Sequence, residues 1–338
     1  MKVCNYQIQT PLGNIQRLGV FLDDHTVLDP NLVWRADFER EGRYFAKERA
    51  DLFLPPSLTQ FLKTCDEPIE RLEQSCALFH FLMKLEIKHT KDGASLTISS
   101  NNITLKKPVD HIGRYVDFYS HERHINNVHL RKGVEANPAW KKKPLYFNGN
   151  TNCIIGPDEE IPWPAFTRKI DFELELGMVI GRDGKDIKTR HALNHLFGLT
   201  ILNDVTARDV QKNEVLIGIG AAKSKDFCTI IGPVITTMDE FDFKEPDLLM
   251  TAQINGVECS RGRSSECHFT LAEMISHLSQ SEWLLPGDVY GQGCVGSGSG
   301  FEQNKWIKSG DKIELTVEKI GTLKNTVGQQ TAQLSSQG

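Results

Sequence analysis

The stretch "KIDFELELGMVIG", Lys169 to Gly181, sets two glutamates, Glu173 and Glu175, two positions apart inside an otherwise apolar run. With a period of two, Ile170, Phe172, Leu174, Leu176 and Met178 share one face, while Asp171, Glu173 and Glu175 share the other. The pattern predicts a half-buried strand. Alternate residues on a strand lie about 6.6 Å apart. The two glutamates therefore either face water, as the polar side of an antiparallel strand does, or reach one cation lying above the strand.

Strand signals surround this segment. "CTIIGPVITT", "DLLMTAQING" and "DKIELTVEKIGTL" follow it, with one short helix at "TRHALNHLF" stopped by Gly198. Before it, residues 1–105 hold short strands, among them the hairpin candidate "RLGVFLDDHTVLDP" and "ASLTISSNNITL", around a helical segment "SLTQFLKTCDEPIERLEQSCALFHFLMKLE". The character changes at Lys106-Lys107-Pro108. We expect a small N-terminal domain over 1–105, a strand-rich domain carrying the chemistry over 106–330, no internal repeat, and a frayed tail in "QQTAQLSSQG".

The 338 residues suffice for a full core, and 39% hydrophobic and 25% charged residues are ordinary for a globular chain. A net charge of -5 gives no footprint for nucleic acid or an anionic membrane. No window approaches the roughly 20 apolar residues that cross a bilayer, and "MKVCNYQIQTPLG" lacks the apolar centre of a signal peptide, so a cytoplasmic protein is expected. Eight cysteines without a CxxC pair argue against a zinc site or a disulfide framework.

Three further segments carry candidate chemistry. "GLTILNDVTARDVQ" delivers Asp204 at the end of an apolar strand, where it either caps a turn or needs a charged partner. "GAAKSKDF" places Lys223 and Lys225 after a glycine-rich stretch, and "YVDFYSHERHINN" gathers Asp117, Tyr119, Arg123 and His124, as a surface loop also could. Together Asp117, Glu173, Glu175 and Asp204 supply four oxygen donors and no thiolate. A hard cation such as Mg²⁺ or Ca²⁺ prefers such a set, and it would remove the repulsion between Glu173 and Glu175.

"DFYSHERHINN", "DFELELGMVIG", "GLTILNDVTARDVQ", the lysine of "AAKSKDF" and "GSGSGFEQNKWIKSGDKIELTVEKIGTLKN", in this order, resemble the fumarylacetoacetate hydrolase superfamily, closest in motifs to fumarylacetoacetase. The resemblance implies a mostly β, α+β architecture: a mixed β-roll catalytic domain and a small N-terminal barrel-like domain, in a homodimer. It implies divalent metal ligands at Asp117, Glu173, Glu175 and Asp204, a catalytic His124 oriented by Glu314, and oxyanion donors at Arg208, Gln211 and Lys223. Among substrate contacts Tyr119 and Arg131 match; three hydroxyls of the family pattern are replaced, at Phe147, Val215 and Cys294.

The implied activity is metal-dependent cleavage of a carbon-carbon bond in a 1,3-diketo acid, fumarylacetoacetate or an analogue, with His124 activating water. The alternative within the superfamily is an acylpyruvate hydrolase, or an oxaloacetate decarboxylase or tautomerase; outside it stand an inactive binding homologue and a plain β-rich binding module. Oxygen ligands accept Mg²⁺, Ca²⁺ or Mn²⁺. The partner is a small diketo acid, with no nucleic acid and no membrane.

Overall fold

Leu174–Ile180, the strand at the centre of the fold, is buried along its whole length rather than on one face. In this computed structural model, which describes residues 1–11, 13–218 and 220–332, the strand pairs antiparallel with Leu196–Asp204 on one side and Val289–Gly291 on the other. Beyond Leu196–Asp204 the sheet continues through Thr229–Thr237, Lys2–Thr10, Gly13–Phe21, Thr26–Leu28 and Thr97–Ser99. On the far side Tyr115–Tyr119 runs parallel to Val289–Gly291, and Leu145–Gly149 forms that edge.

Both faces of this sheet are covered. Val116, Phe118, Leu176, Met178, Leu199 and Ile201 pack into one core with Ile313, Leu315 and Val317 of a second, five-stranded sheet. Their sequence neighbours Tyr115, Val179 and Leu202 pack into another core, with Leu58, Phe61, Leu72 and Leu82. Alternate side chains leave opposite faces of a strand, so a strand between two apolar layers has no watered side. That removes the half-buried expectation for "KIDFELELGMVIG".

The architecture is α+β and dominated by sheet, but no closed barrel occurs among the described residues. The expected N-terminal barrel is therefore corrected. Lys2–Thr10 joins Thr229–Thr237 through Lys2↔Thr236 and Val3↔Ile235, so the first strands extend the central sheet. The predicted hairpin forms, with Val20 opposite Leu28 and Phe21 opposite Val27. The long helical segment divides into Leu58–Thr64 and Pro68–Lys84, since a proline fits the first turn of a helix better than its interior.

Two helices, Pro30–Arg40 and Ala46–Phe53, precede them and have no counterpart in the sequence reading. Asp29 caps the first, accepting from the Leu32 amide at 3.0 Å. Gly198 does not end the short helix, which is Thr189–Ala192 followed by a 3-10 turn to His195; it lies within the Leu196–Asp204 strand. A Cβ there would stand 2.4 Å from the Thr236 carbonyl oxygen. Of the tail, Gln329 and Gln330 end the strand Gly321–Gln330, and residues 333–338 lie outside the described residues.

Candidate active site

Asp117, Glu175 and Asp204 come from three strands of the central sheet and lie on one face: Asp117 and Asp204 are each two residues from a member of the same core, Tyr115 and Leu202, and Glu175 stands opposite Leu202 and four residues from Val179 of that core. One oxygen from each falls within 4.8 Å of the other two. Gly291, paired with Asp117, makes room for them. A Cβ at Gly291 would meet Asp117 Oδ1 at 2.5 Å and Glu175 Oε2 at 2.7 Å.

The cluster is short of positive charge. Asp117, Asp171, Glu173, Glu175 and Asp204 are all buried, against two buried cationic side chains, Arg208 and Lys225. Among the described residues, Asp117 Oδ1 and Asp204 Oδ1 accept no hydrogen bond. Burial first, then the charges of Asp117 and Asp204, pushes the Glu175 carboxyl far above its ordinary value. Burial likewise raises Asp204, against the pull of Lys225. Unpaired buried carboxylates are costly, and an all-oxygen donor set with two orphaned atoms suits a hard divalent cation. The residues present fit one.

Glu173 stands beside this cluster with its oxygens already engaged. Its Oε1 accepts from Arg208 Nη2 at 2.6 Å, and Lys225 Nζ bridges its Oε2 to Asp204 Oδ2. Burial would raise Glu173, but Lys225 and Arg208 hold it well below the ordinary range. Arg208 also gives Nε to Asp171 at 2.8 Å and Nη1 to Gln211 Oε1 at 3.1 Å. Its donors are spent on fixing carboxylates, which leaves the Gln211 amide nitrogen as the freer donor on that wall.

The expected lysine is corrected. Lys223 is exposed and lies over the Phe166 ring at 5.1 Å, whereas Lys225 is buried among the carboxylates. The expected partner of His124 is corrected as well. Glu314 lies on Lys312–Val317 and pairs with Lys324 Nζ at 2.9 Å. It is Glu302 whose Oε2 meets His124 Nδ1, at 2.8 Å.

Glu302 is itself held from several sides. Asn127 Nδ2 and the Ser297 amide donate to Oε1 at 2.9 and 2.8 Å, and the Ser299 hydroxyl and amide donate to Oε2. Burial would raise its carboxyl, but the bond from His124 and these donors keep it below the ordinary value. An ionised carboxylate only accepts, so Nδ1 carries a proton, and in the neutral imidazole Nε2 then presents its lone pair. Nε2 lies 3.9 Å from Glu173 Oε1. Asp171 fixes this turn, accepting from the Gly300 and Phe301 amides, each at 2.9 Å.

Asp117, His124, Glu173, Glu175, Arg208 and Lys225 line one cavity of about 390 Å³, which also takes in Tyr119, Gln211 and Cys294. Tyr119 stands edge-on to the His124 ring at 6.2 Å. Phe147 and Val215, at two of the three replaced hydroxyl positions, line it too. Arg131 does not; it donates to Asn304 Oδ1 at 3.0 Å and stacks over Phe301. Sequence reasoning missed Lys225's role, Glu302, Asp171 and Gly291. For Glu302 a signal existed, the capping box Ser299-x-x-Glu302.

The chain belongs to the fumarylacetoacetate hydrolase family: residues 114–328 match the model "Fumarylacetoacetate (FAA) hydrolase C-terminal". It is 29% identical, over 94% of its length and 98% of the relative's, to an oxaloacetate tautomerase of Bacillus subtilis. A mitochondrial oxaloacetate tautomerase of Homo sapiens is 31% identical over 57% of this chain and 62% of its own. Among solved structures, a fumarylacetoacetate hydrolase from Exiguobacterium antarcticum shares the fold with a TM-score of 0.67 and 24% identity, over 96% of this chain and 99% of that one. A fumarylpyruvate hydrolase from Pseudomonas aeruginosa, solved with Mn²⁺ and pyruvate, gives a TM-score of 0.55 at 22% identity, covering 67% and 91%. Among the described residues no helix is long and apolar enough to cross a membrane.

Proposed function

We propose that this protein is a divalent-cation-dependent enzyme interconverting the keto and enol forms of a small 2-oxo acid, with oxaloacetate the first candidate. One observation carries the proposal: Asp117 and Glu175, two of the three clustered carboxylates, line a single cavity of about 390 Å³ together with His124, and Asp204 completes the cluster behind them. That volume is near the lower end for ligand sites, which suits a four-carbon acid. The relative aligned over nearly its whole length is named an oxaloacetate tautomerase.

A cation held by Asp117, Glu175 and Asp204, whether Mg²⁺, Mn²⁺ or Ca²⁺, supplies Lewis acidity toward the 2-oxo acid. His124 Nε2 takes a proton from C3 and delivers it to the 2-oxo oxygen, so the keto acid becomes the enol with no net change in protons, and the reverse direction runs the same two transfers backwards. Glu302 holds the ring in the tautomer that leaves Nε2 free. Arg208 and Lys225 keep Glu173 ionised beside it, and the Gln211 amide nitrogen, on the same cavity wall, serves as a donor to the oxygen that gains charge. Phe147, Val215 and Cys294, in place of three hydroxyls, withdraw the donors a longer diketo acid would use. A homodimer belongs to this proposal on the family resemblance, and a cytoplasmic location on the absence of an apolar segment in the sequence.

Hydrolysis of a carbon-carbon bond in fumarylacetoacetate or an acylpyruvate is the second reading. The paired His124 and Glu302 favour it, because the same imidazole could take its proton from water. The deciding assay follows enol absorbance with the Mg²⁺- or Mn²⁺-loaded protein. Accelerated approach to the keto–enol equilibrium of oxaloacetate, without carbon dioxide release, supports tautomerisation. Cleavage of fumarylacetoacetate or an acylpyruvate at higher kcat/KM, or release of carbon dioxide, overturns it.

A further inference from the structure

Three cationic side chains among the described residues line the cavity: Arg208, Lys225 and Lys132. The first two are committed. Arg208 is bound to Asp171 and Glu173, and Lys225 to Glu173 and Asp204. Lys132 makes no ion pair and no side-chain hydrogen bond among the described residues. Its chain neighbour Arg131 turns away to Asn304 and Phe301.

Lys132 closes the helix Glu122–Arg131 that carries His124. His124, Val128 and Lys132 recur at intervals of four, which puts them on one helical face, and all three line the cavity. Side chains on a helix lean toward its N-terminus. The Lys132 stem therefore leans back over the turn that bears Val128, in the direction of His124. The outer wall is otherwise largely apolar, with half-exposed Leu145 and Val215, beside Tyr146 and His129, whose Nδ1 is bonded to the Ile125 carbonyl at 2.9 Å. Partial burial, and then the field of Arg208, holds the Lys132 ammonium below the ordinary lysine value.

A 2-oxo acid that brings its carboxylate and 2-oxo oxygens to the inner carboxylate cluster extends its remaining carbons outward. A second carboxylate on C3 then meets a wall offering one uncommitted positive charge. We infer that Lys132 is a specificity residue, whose ammonium receives the distal carboxylate and selects four-carbon dicarboxylic 2-oxo acids over monocarboxylic ones. This rests on the proposed handling of a 2-oxo acid at this site.

The test compares binding of two unreactive acids that differ in that carboxylate, malate and lactate. Calorimetry is done on the Mg²⁺-saturated full chain, wild type, Lys132→Met and Lys132→Arg. The inference expects wild type to bind malate about tenfold more tightly than lactate, roughly the value of one charge-assisted contact. Lys132→Met loses that preference without changing lactate affinity, and Lys132→Arg keeps most of it. A preference that survives in Lys132→Met, or no preference in wild type, overturns the inference, since a merely solvated lysine confers none. A wild type that prefers malate yet fails to tautomerise oxaloacetate sinks the proposed reaction and leaves the role of Lys132 standing.

Discussion

His124 Nδ1 lies 2.8 Å from Glu302 Oε2, and Glu302 reaches that position through a turn whose amides are bound by Asp171. Asp171 in turn accepts from Arg208, which also binds Glu173. A continuous set of charge-assisted bonds thus runs from the imidazole to the carboxylate cluster. Such bonds are roughly twice as strong as neutral ones. The imidazole and the cluster are thereby held in fixed relation, although they arise from segments far apart in the chain.

Replacing Glu302 with Gln frees the Nδ1 tautomer and removes the charge that orients the ring. We expect Glu302→Gln to lower kcat by about 10²- to 10³-fold, within the usual contribution of a positioned acid-base group, with circular dichroism unchanged. Glu314→Gln touches only the partly exposed pair with Lys324 and should stay within about twofold of wild type. Equal losses in the two variants would restore Glu314 as the orienting residue.

Lys225 and Lys223 separate in the same way. Lys225→Met strips Glu173 and Asp204 of a shared buried cation, and breaking a buried pair from one side costs about 3–5 kcal/mol. Lys223→Met removes an exposed ammonium and should change stability by less than about 0.5 kcal/mol. Urea unfolding of the metal-free proteins measures both. Similar midpoints for the two variants would contradict the burial of Lys225 among carboxylates.

His121 offers a pH test away from the carboxylates. Both its ring nitrogens are buried without a hydrogen-bond partner among the described residues. Burial, then the nearby His124, pushes its pKa down to about 3. The folded state therefore favours the neutral ring: its contribution is fully present above the unfolded value near 6.5 and is lost as pH falls from there toward 3. The stability difference between wild type and His121→Phe should shift against wild type by about 1.4 kcal/mol per pH unit in that window. Chemical denaturation from pH 7 to 4 reads the slope, and a pH-independent difference would falsify the assignment.

How far the site is legible in the sequence follows from which residues have a local reason to be where they are. Asp204 ends an apolar strand pattern, where a carboxylate without a partner is costly, and that cost is visible without coordinates; Glu175 and Asp117 give no such local signal, since alternation allows Glu175 a watered face and the Asp117 segment is as polar as a surface loop. Lys223 and Lys225 sit in a loop with no period, so nothing local says which one turns inward. Glu314 is implied only by the resemblance, as the aligned glutamate of "KIELTV", and strand pairing sets it opposite Lys324. Glu302 belongs to a one-turn helix, and only the folding of the chain brings it to a histidine 178 positions away. The central sheet is legible strand by strand, but its continuity with the first hundred residues is not, because the pairing of Lys2–Thr10 with Thr229–Thr237 spans more than two hundred positions.

Gly291 gives the sharpest test of the cation site, because it alters space and not charge. A Cβ at 291 would press on Asp117 Oδ1 and Glu175 Oε2 at 2.5 and 2.7 Å, well inside van der Waals contact, so the two carboxylates must move apart from their present arrangement. Gly291→Ala should therefore lower Mg²⁺ or Mn²⁺ affinity at least tenfold while the metal-free protein still folds. Glu175→Gln makes the complementary change, relieving repulsion among Asp117, Glu175 and Asp204. Its metal-free melting temperature should match or exceed that of wild type, but added cation should no longer raise it, since a ligand stabilises only the state it binds. Thermal melts with and without 5 mM-scale cation, roughly a hundredfold over a Kd near 50 μM, distinguish the cases. A wild type whose melting temperature ignores the cation, or a Gly291→Ala protein that responds as wild type does, would show that the three carboxylates are not a metal centre.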